Sequence, residues 1–283
     1  MKKMITVLLL FATVMTSLSV VSCNKEEKPQ AKIIDIDLTE EEYAFGVSKE
    51  QPELLETVNE LIANIKHTGT FKDICDRYFG EGTPVAIKSA ELDPTKDQLV
   101  VATHAHFAPF EYKIGDNYYG IDMEIATLLA DELNQELVIV DMDFKNLLSA
   151  VKNGEADIIM SGFTMKEERK EYVDFSDTYY QASQKLIVKS DDDTFDGCKT
   201  ADDVLAKLRT LTMSTNIGYL QGTTGGMYVN NEGDYKKNGL KVTGTGYTTG
   251  KLAVQDILNE KIRGVVIDAG PAESIVKEVN AER

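Results

Sequence analysis

Few residues of this chain have types and spacings that could do chemistry. His104 and His106 stand two apart, and on an extended chain they project to the same side. Imidazole pairs can hold zinc or copper, but no third histidine or cysteine lies near them, and His67 falls at the end of a separate helix. No metal and no cofactor are expected. No paired carboxylates for acid–base catalysis stand out. What remains is recognition chemistry. Gly222-Thr223-Thr224-Gly225 lies between a strand and a helix, where backbone N–H groups attract an anion, or where the glycines only make a turn. Arg169 carries a planar guanidinium that can grip a carboxylate through two parallel bonds. It is equally a solvated helix arginine in the charge run 166–171. Asp268 ends a strand ahead of Pro271, as an acceptor or as an N-cap.

These positions need a scaffold, and the periodicities supply one. Lys32–Leu38 and Tyr43–Val47 read as strands. Pro52 opens an amphipathic helix with Leu54, Leu55, Val58, Leu61, Ile62 and Ile65 on one face, stopping at Gly69. A shorter helix, Phe71–Phe79, follows, and 80–97 reads as a linker. From Leu99 strands and helices alternate. The strands are Leu99–Thr103, Glu136–Val140, Asp157–Met160 and Lys185–Val188, with helices Ile121–Leu133 and Leu147–Lys152. A second set has strands Ile217–Leu220, Leu240–Val242 and Gly264–Ile267. Its helices are Ala201–Leu208, 223–230, Lys251–Leu258 and Pro271–Val276. Such alternation predicts α/β layers with parallel strands, and two sets predict two lobes.

The chain has 283 residues, 42% of them hydrophobic, enough for a sizeable core. Its formal net charge of −17 argues against nucleic-acid partners and against docking on anionic lipid. Lys2 and Lys3 precede an apolar stretch, Ile5–Val21, which ends in Val20-Val21-Ser22-Cys23. This pattern fits a secretory signal, and the placement of Cys23 resembles a bacterial lipobox. Cys23 is then the acylated mature N-terminus and 24–31 a polar tether. The expected location is the cell envelope, with the protein exported and anchored by lipid to the outer face of a membrane. Cys75 and Cys198 are expected to be free thiols in different lobes.

The segment 99–190 carries a resemblance. It contains APFEY (108–112), GIDMEIA (120–126), DF-x-x-L-L-x-A-V-x-x-G-x-A-D (143–157), FTMKEER (163–169) and VDFSDTYY (173–180). In this order they closely resemble the first lobe of extracellular solute-binding proteins of the polar amino acid type, receptors of ABC importers. NIGYLQGTTGG (216–226) and VVIDAGPAES (265–274) resemble the second lobe more loosely. The resemblance implies a two-lobed periplasmic-binding-protein-like (type II) α/β fold with two hinge crossings, near 38–48 and 183–191. It also exposes an altered order. The strand and helices that normally end such a chain resemble 38–80, at the front of this one. A circular permutation joined through 81–97 is expected, in preference to a stray fused copy, because every family element occurs once. Lobe 1 is then 42–188, made of 42–80, the linker 81–97 and 98–188. Lobe 2 is 189–283 with 32–41.

The resemblance also assigns a site for a free amino acid. Arg169, Thr164 and Thr224 would hold the carboxylate. Asp268 and the Gly162 carbonyl would hold the ammonium. Phe107 and Phe144 would wall the ligand side chain, with Leu220, Gln221 and Ile267 completing the lining. Relatives that take basic or amide side chains often have an acid where this chain has His104, and no Lys or Arg occupies a matched side-chain position. A neutral amino acid is therefore expected. The expected partners are the permease and ATPase of an importer, with the receptor a monomer and not an enzyme. The alternatives are a secreted cyclohexadienyl dehydratase-like enzyme and a receptor that only signals.

Overall fold

The computed structural model describes residues 28–80 and 82–283. The signal segment 1–23, with Cys23, and residues 24–27 of the tether lie outside the described residues. In chain order the first elements are β1 (Ala31–Ile34), β2 (Glu41–Tyr43), β3 (Gly46–Ser48), α1 (Pro52–Thr68) and α2 (Thr70–Phe79). Next come β4 (Gln98–Thr103), β5 (His106–Phe107), β6 (Glu111–Ile114), β7 (Asn117–Tyr119), α3 (Ile121–Leu133), β8 (Glu136–Asp141), α4 (Leu147–Lys152) and β9 (Ile158–Ile159). Then follow β10 (Val173–Phe175), β11 (Tyr180–Ala182), β12 (Gln184–Lys189) and α5 (Ala201–Arg209). The last are β13 (Asn216–Leu220), α6 (Thr224–Asn230), β14 (Thr243–Tyr247), α7 (Gly250–Leu258), β15 (Gly264–Asp268) and α8 (Ala269–Ala281).

Two five-stranded sheets result, ordered β10-β3-β9-β4-β8 and β1-β12-β15-β13-β14. Each has the same pattern: two antiparallel pairings, then two parallel ones. The wholly parallel layers expected from the alternation are thus mixed, and the reason is the crossings. β10 belongs to the first sheet, β11 leaves it, and β12 enters the second. β1 belongs to the second sheet, β2 leaves it, and β3 enters the first. β2 and β11 pair antiparallel with each other, Tyr43 opposite Tyr180, as a two-stranded hinge between the lobes. Lys185–Val188, expected at the end of lobe 1, lies inside the second sheet. That crossing therefore falls at 180–182, before the expected 183–191.

The helices cover the sheets as their periodicities require. α1 buries Leu54, Val58, Leu61, Ile62 and Ile65 and ends at Gly69 in the left-handed region (φ 84°). α2 docks on α3 through Arg77, which holds Glu124 with two bonds of 3.0 and 2.6 Å. Residues 82–97 are neither helical nor part of a named strand, but they are tied down. Ile87 exchanges both backbone bonds with Tyr118, and Ala90 N–H donates to the Leu137 carbonyl (2.8 Å). β14 lies at 243–247 in place of the expected 240–242. It is built as Thr-Gly-Thr-Gly-Tyr, and a Cβ on Gly244 would stand 2.9 Å from the Tyr219 ring. Bare backbone lets this strand approach β13, so no apolar alternation marks it. The beginning of β1 meets the end of α8: Ala31 N–H donates to Asn280 Oδ1, and Asn280 Nδ2 donates to the Ala31 carbonyl, both at 2.9 Å. Among the described residues no helix is long and apolar enough to cross a membrane. Cys75, on α2, and Cys198, packed in the second lobe's core, are free.

Candidate functional site

The expected residues converge where the carboxyl ends of β9, β13 and β15 meet the hinge strand β2. Arg169 closes a short 3-10 turn, Glu167–Arg169, after the loop that follows β9, and it is 3% exposed. Its guanidinium donates to the Thr164 carbonyl of the first lobe (2.7 Å) and the Gly222 carbonyl of the second (3.0 Å). It stacks on Phe163 at 4.3 Å, with Phe144 at 5.5 Å. Burial lowers its pKa to about 10. A guanidinium has five N–H donors, and these two bonds leave three that could meet a carboxylate.

Asp268 ends β15, and its carboxylate caps nothing. It accepts the Tyr43 hydroxyl at 2.6 Å. Burial, and then the nearby Glu41 carboxylate, raise its pKa to about 7. Gly162 has φ 48°, and a Cβ there would meet the Phe107 ring at 2.8 Å, so glycine is required. Its N–H donates to Asp122 Oδ2 (2.8 Å), and Tyr179 donates to Asp122 Oδ1 (2.7 Å). Ser161 donates to Glu111 Oε1 (2.8 Å). These buried acids hold the 161–164 loop from beneath, and burial raises Asp122 to about 7 and Glu111 well above the usual carboxylate range.

The aromatic walls stand against different partners, Phe107 against Gly162 and Phe110, Phe144 beneath Arg169. Phe144, Leu220 and Gln221 line a recess of about 10 Å³ with Asp143, Lys145, Tyr247 and Thr248. Lys145 Nζ reaches Gln221 Oε1 across the lobes (3.2 Å), and with the Arg169 and Tyr43 bonds this makes the arrangement a closed one. Ile267 is buried in β15 beside Asp268. His104 is 3% exposed; its Nδ1 lies 3.0 Å from the Met142 carbonyl, and its Nε2 has no partner. Burial lowers its pKa, which keeps the ring neutral with Nε2 as an acceptor. Its ring lies 5.4 Å from that of His106, and among the described residues no group of three or more possible ligands forms a metal site.

Four residues absent from the sequence expectation join the cluster: Glu41, Tyr43, Gln184 and Tyr235. Glu41 Oε2 accepts the hydroxyls of Thr224 (2.7 Å) and Thr164 (3.0 Å), and Gln184 Nε2 at 3.4 Å. Its Oε1 accepts Thr39 (3.0 Å) and Tyr235 (3.1 Å). The available signal was alternation: Glu41 and Tyr43 share the buried face of β2, and Glu42 points out.

The family model of the bacterial extracellular solute-binding proteins, family 3, matches residues 99–275. The arginine-binding extracellular protein ArtP of Bacillus subtilis is 38% identical over 130 residues, covering 46% of this chain and 48% of that protein. A probable histidine-binding protein of Neisseria gonorrhoeae is 36% identical over 110 residues, covering 38% and 40%. The chain thus spans about half or less of these two relatives. A probable histidine-binding protein of Campylobacter jejuni is matched over 75% of its length, and 76% of this chain, at 27% identity. Among solved structures, an ancestral arginine-binding protein bound to arginine superposes with a TM-score of 0.54 at 30% identity, covering 64% of this chain and 74% of that one. An ancestral amino acid-binding protein described as a precursor of cyclohexadienyl dehydratase gives 0.55 at 28%, with the same coverage. The two-lobed type II α/β fold is therefore that of the periplasmic amino-acid-binding proteins, and the chain belongs to the bacterial extracellular solute-binding proteins, family 3.

Proposed function

We propose that this protein is a lipid-anchored, monomeric receptor of an ABC importer that captures one free amino acid with an uncharged side chain between its lobes. One observation carries the reading: a buried guanidinium, Arg169, and a buried carboxylate, Asp268, stand on opposite lobes of one closed cleft. They complement the carboxylate and ammonium of an amino acid. Thr164 and Gly162 add polar groups from the first lobe and Thr224 from the second. A ligand touching both sets favours closure, because only the closed form lets them act together. The closed shape is what the permease and ATPase would recognise. The recess beside Phe144 has room for about one water, so entry requires the sheets to part about β2 and β11.

The lining supports an uncharged side chain. His104 is buried, burial lowers its pKa, and its Nε2 has no partner among the described residues. The charged side chains that line the recess, Asp143 and Lys145, are half exposed. The relatives named for arginine and histidine fix the class of ligand more than its identity; one ancestral arginine-binding protein was also solved with glutamine. We read the element order as a circular permutation. Its support is that residues 31–48 complete both sheets, the family match begins only at 99, and β1 begins where α8 ends. The permutation reading predicts that moving residues 28–80 behind 283 gives a protein with the same cooperative unfolding, and failure of that chain to fold would count against it. The dehydratase alternative would use His104 as its acid or base, and turnover of prephenate or arogenate by the purified protein would reinstate it.

The test is a thermal-shift screen. Protein lacking residues 1–23 is unfolded and refolded to strip carried-over ligand, then melted with each common amino acid. Ligand at about 100 times its dissociation constant adds roughly 2.7 kcal/mol. A shift confined to one or a few uncharged amino acids is expected. A shift with arginine or lysine alone would overturn the uncharged reading, and no shift at all would overturn the amino acid reading.

A further inference from the structure

Glu41 is a buried carboxylate that nothing in the ligand cleft's expected inventory uses. It sits on the hinge strand, 3% exposed. One oxygen, Oε2, takes the hydroxyl of Thr164 from the first lobe at 3.0 Å and that of Thr224 from the second at 2.7 Å. A threonine hydroxyl has one hydrogen and two lone pairs. Once Thr164 has donated to Glu41, its Oγ1 presents only lone pairs to the cleft. Thr224 donates to Glu41 and accepts Gln184 Nε2 at 3.0 Å, which leaves it one lone pair; neither threonine hydroxyl has a hydrogen left for the ligand carboxylate expected there. A carboxylate accepts and never donates, which makes these directions obligatory.

Resting on the amino acid reading, we propose that Glu41 is a positioning and specificity-determining residue. It turns the Thr164 hydroxyl into an acceptor for the ligand's ammonium and ties Thr164 to Thr224 across the closed cleft. With Asp268 it places two carboxyl groups around a site that contains one guanidinium, which favours the ligand's positive ammonium. The site then selects 2-amino acids over the 2-hydroxy and 2-oxo acids of the same side chain, which present a single uncharged O–H donor, or a carbonyl oxygen with none, where an ammonium offers three charged N–H donors.

The experiment is a calorimetric double-mutant cycle, read with the amino acid that stabilises the protein most. Glu41→Ala is expected to weaken binding by about 10- to 100-fold, the range for a hydrogen bond involving a charged group. In a Thr164→Val background, which lacks the hydroxyl, the same change is expected to cost much less, because the two residues act as one unit. Glu41→Ala should also narrow the preference for the amino acid over its 2-hydroxy analogue. A generally loosened fold would weaken both ligands alike. Wild-type binding with undiminished or tighter binding in Glu41→Ala overturns this assignment and leaves the amino acid reading standing. Fully additive losses overturn it too. If wild-type protein binds no amino acid, the reading fails and this assignment with it. Should Glu41→Ala not fold, Glu41→Gln removes the charge and keeps the shape. Its affinity is expected to fall at least severalfold, and a wild-type affinity overturns the proposal.

Discussion

Replacing Arg169 by alanine tests the site at its one buried cation. The guanidinium is 3% exposed and makes two bonds to carbonyls, one in each lobe, while stacking on Phe163. In the ligand-free protein, truncation loses those bonds. It also removes a charge that burial already disfavours, as the lowered pKa of about 10 records. These effects oppose each other, so the ligand-free melting temperature should change modestly. Binding has no such compensation. The ligand's carboxylate would enter a buried site with no cation, a loss of about 2–5 kcal/mol, or roughly 30- to 5,000-fold in affinity. Arg169→Lys keeps the charge but not the planar fork, and should recover only part of that loss. Isothermal calorimetry on refolded protein reads all three variants. An Arg169→Ala affinity within threefold of wild type, in a cooperatively folded protein, would refute the assignment.

Asp268 should make affinity depend on pH. Its pKa of about 7 in the ligand-free protein falls when an ammonium arrives, so binding releases a proton, and calorimetry should show affinity dropping as pH falls through 7. The sign for stability is the reverse. Asp122 and Asp268 hold protons in the fold that the unfolded chain has lost, so their contribution is present at about pH 4 and declines toward 7, which urea titrations across that window should resolve. Gly162→Ala forces a left-handed residue into the Phe107 ring; about 1–3 kcal/mol of stability should be lost in urea unfolding, and ligand binding with it. Tyr43→Phe leaves the buried Asp268 carboxylate without its 2.6 Å donor, and the melting temperature should fall by an amount equal to about 1–3 kcal/mol.

Much of this arrangement was legible because it rests on local patterns. The α1 stripe, the Gly69 stop and the β4–α3–β8 run follow periodicities that fix which face is buried. Lys32–Leu38 and Tyr43–Val47 were readable as strands, but not where they broke. Ala44 and Phe45 carry the chain from the hinge strand β2 into the first sheet, and only tertiary pairing decides that. β14 escaped because its glycines serve close packing and leave no apolar signature. The site residues were legible through resemblance; nothing local separates Arg169 from a solvated arginine in a charge run. For Glu41 alternation could mark the buried face but not a role. Its partners are mostly more than a hundred residues away, so its meaning comes from the fold alone.

The most direct measurement is a crystal structure grown with the amino acid that raises the melting temperature most. The account predicts one ligand between the lobes, its carboxylate on Arg169 and its ammonium within hydrogen-bond distance of Asp268 and Thr164 Oγ1, with Thr164 still donating to Glu41. A ligand bound elsewhere, or one in the cleft whose carboxylate avoids Arg169, would contradict it.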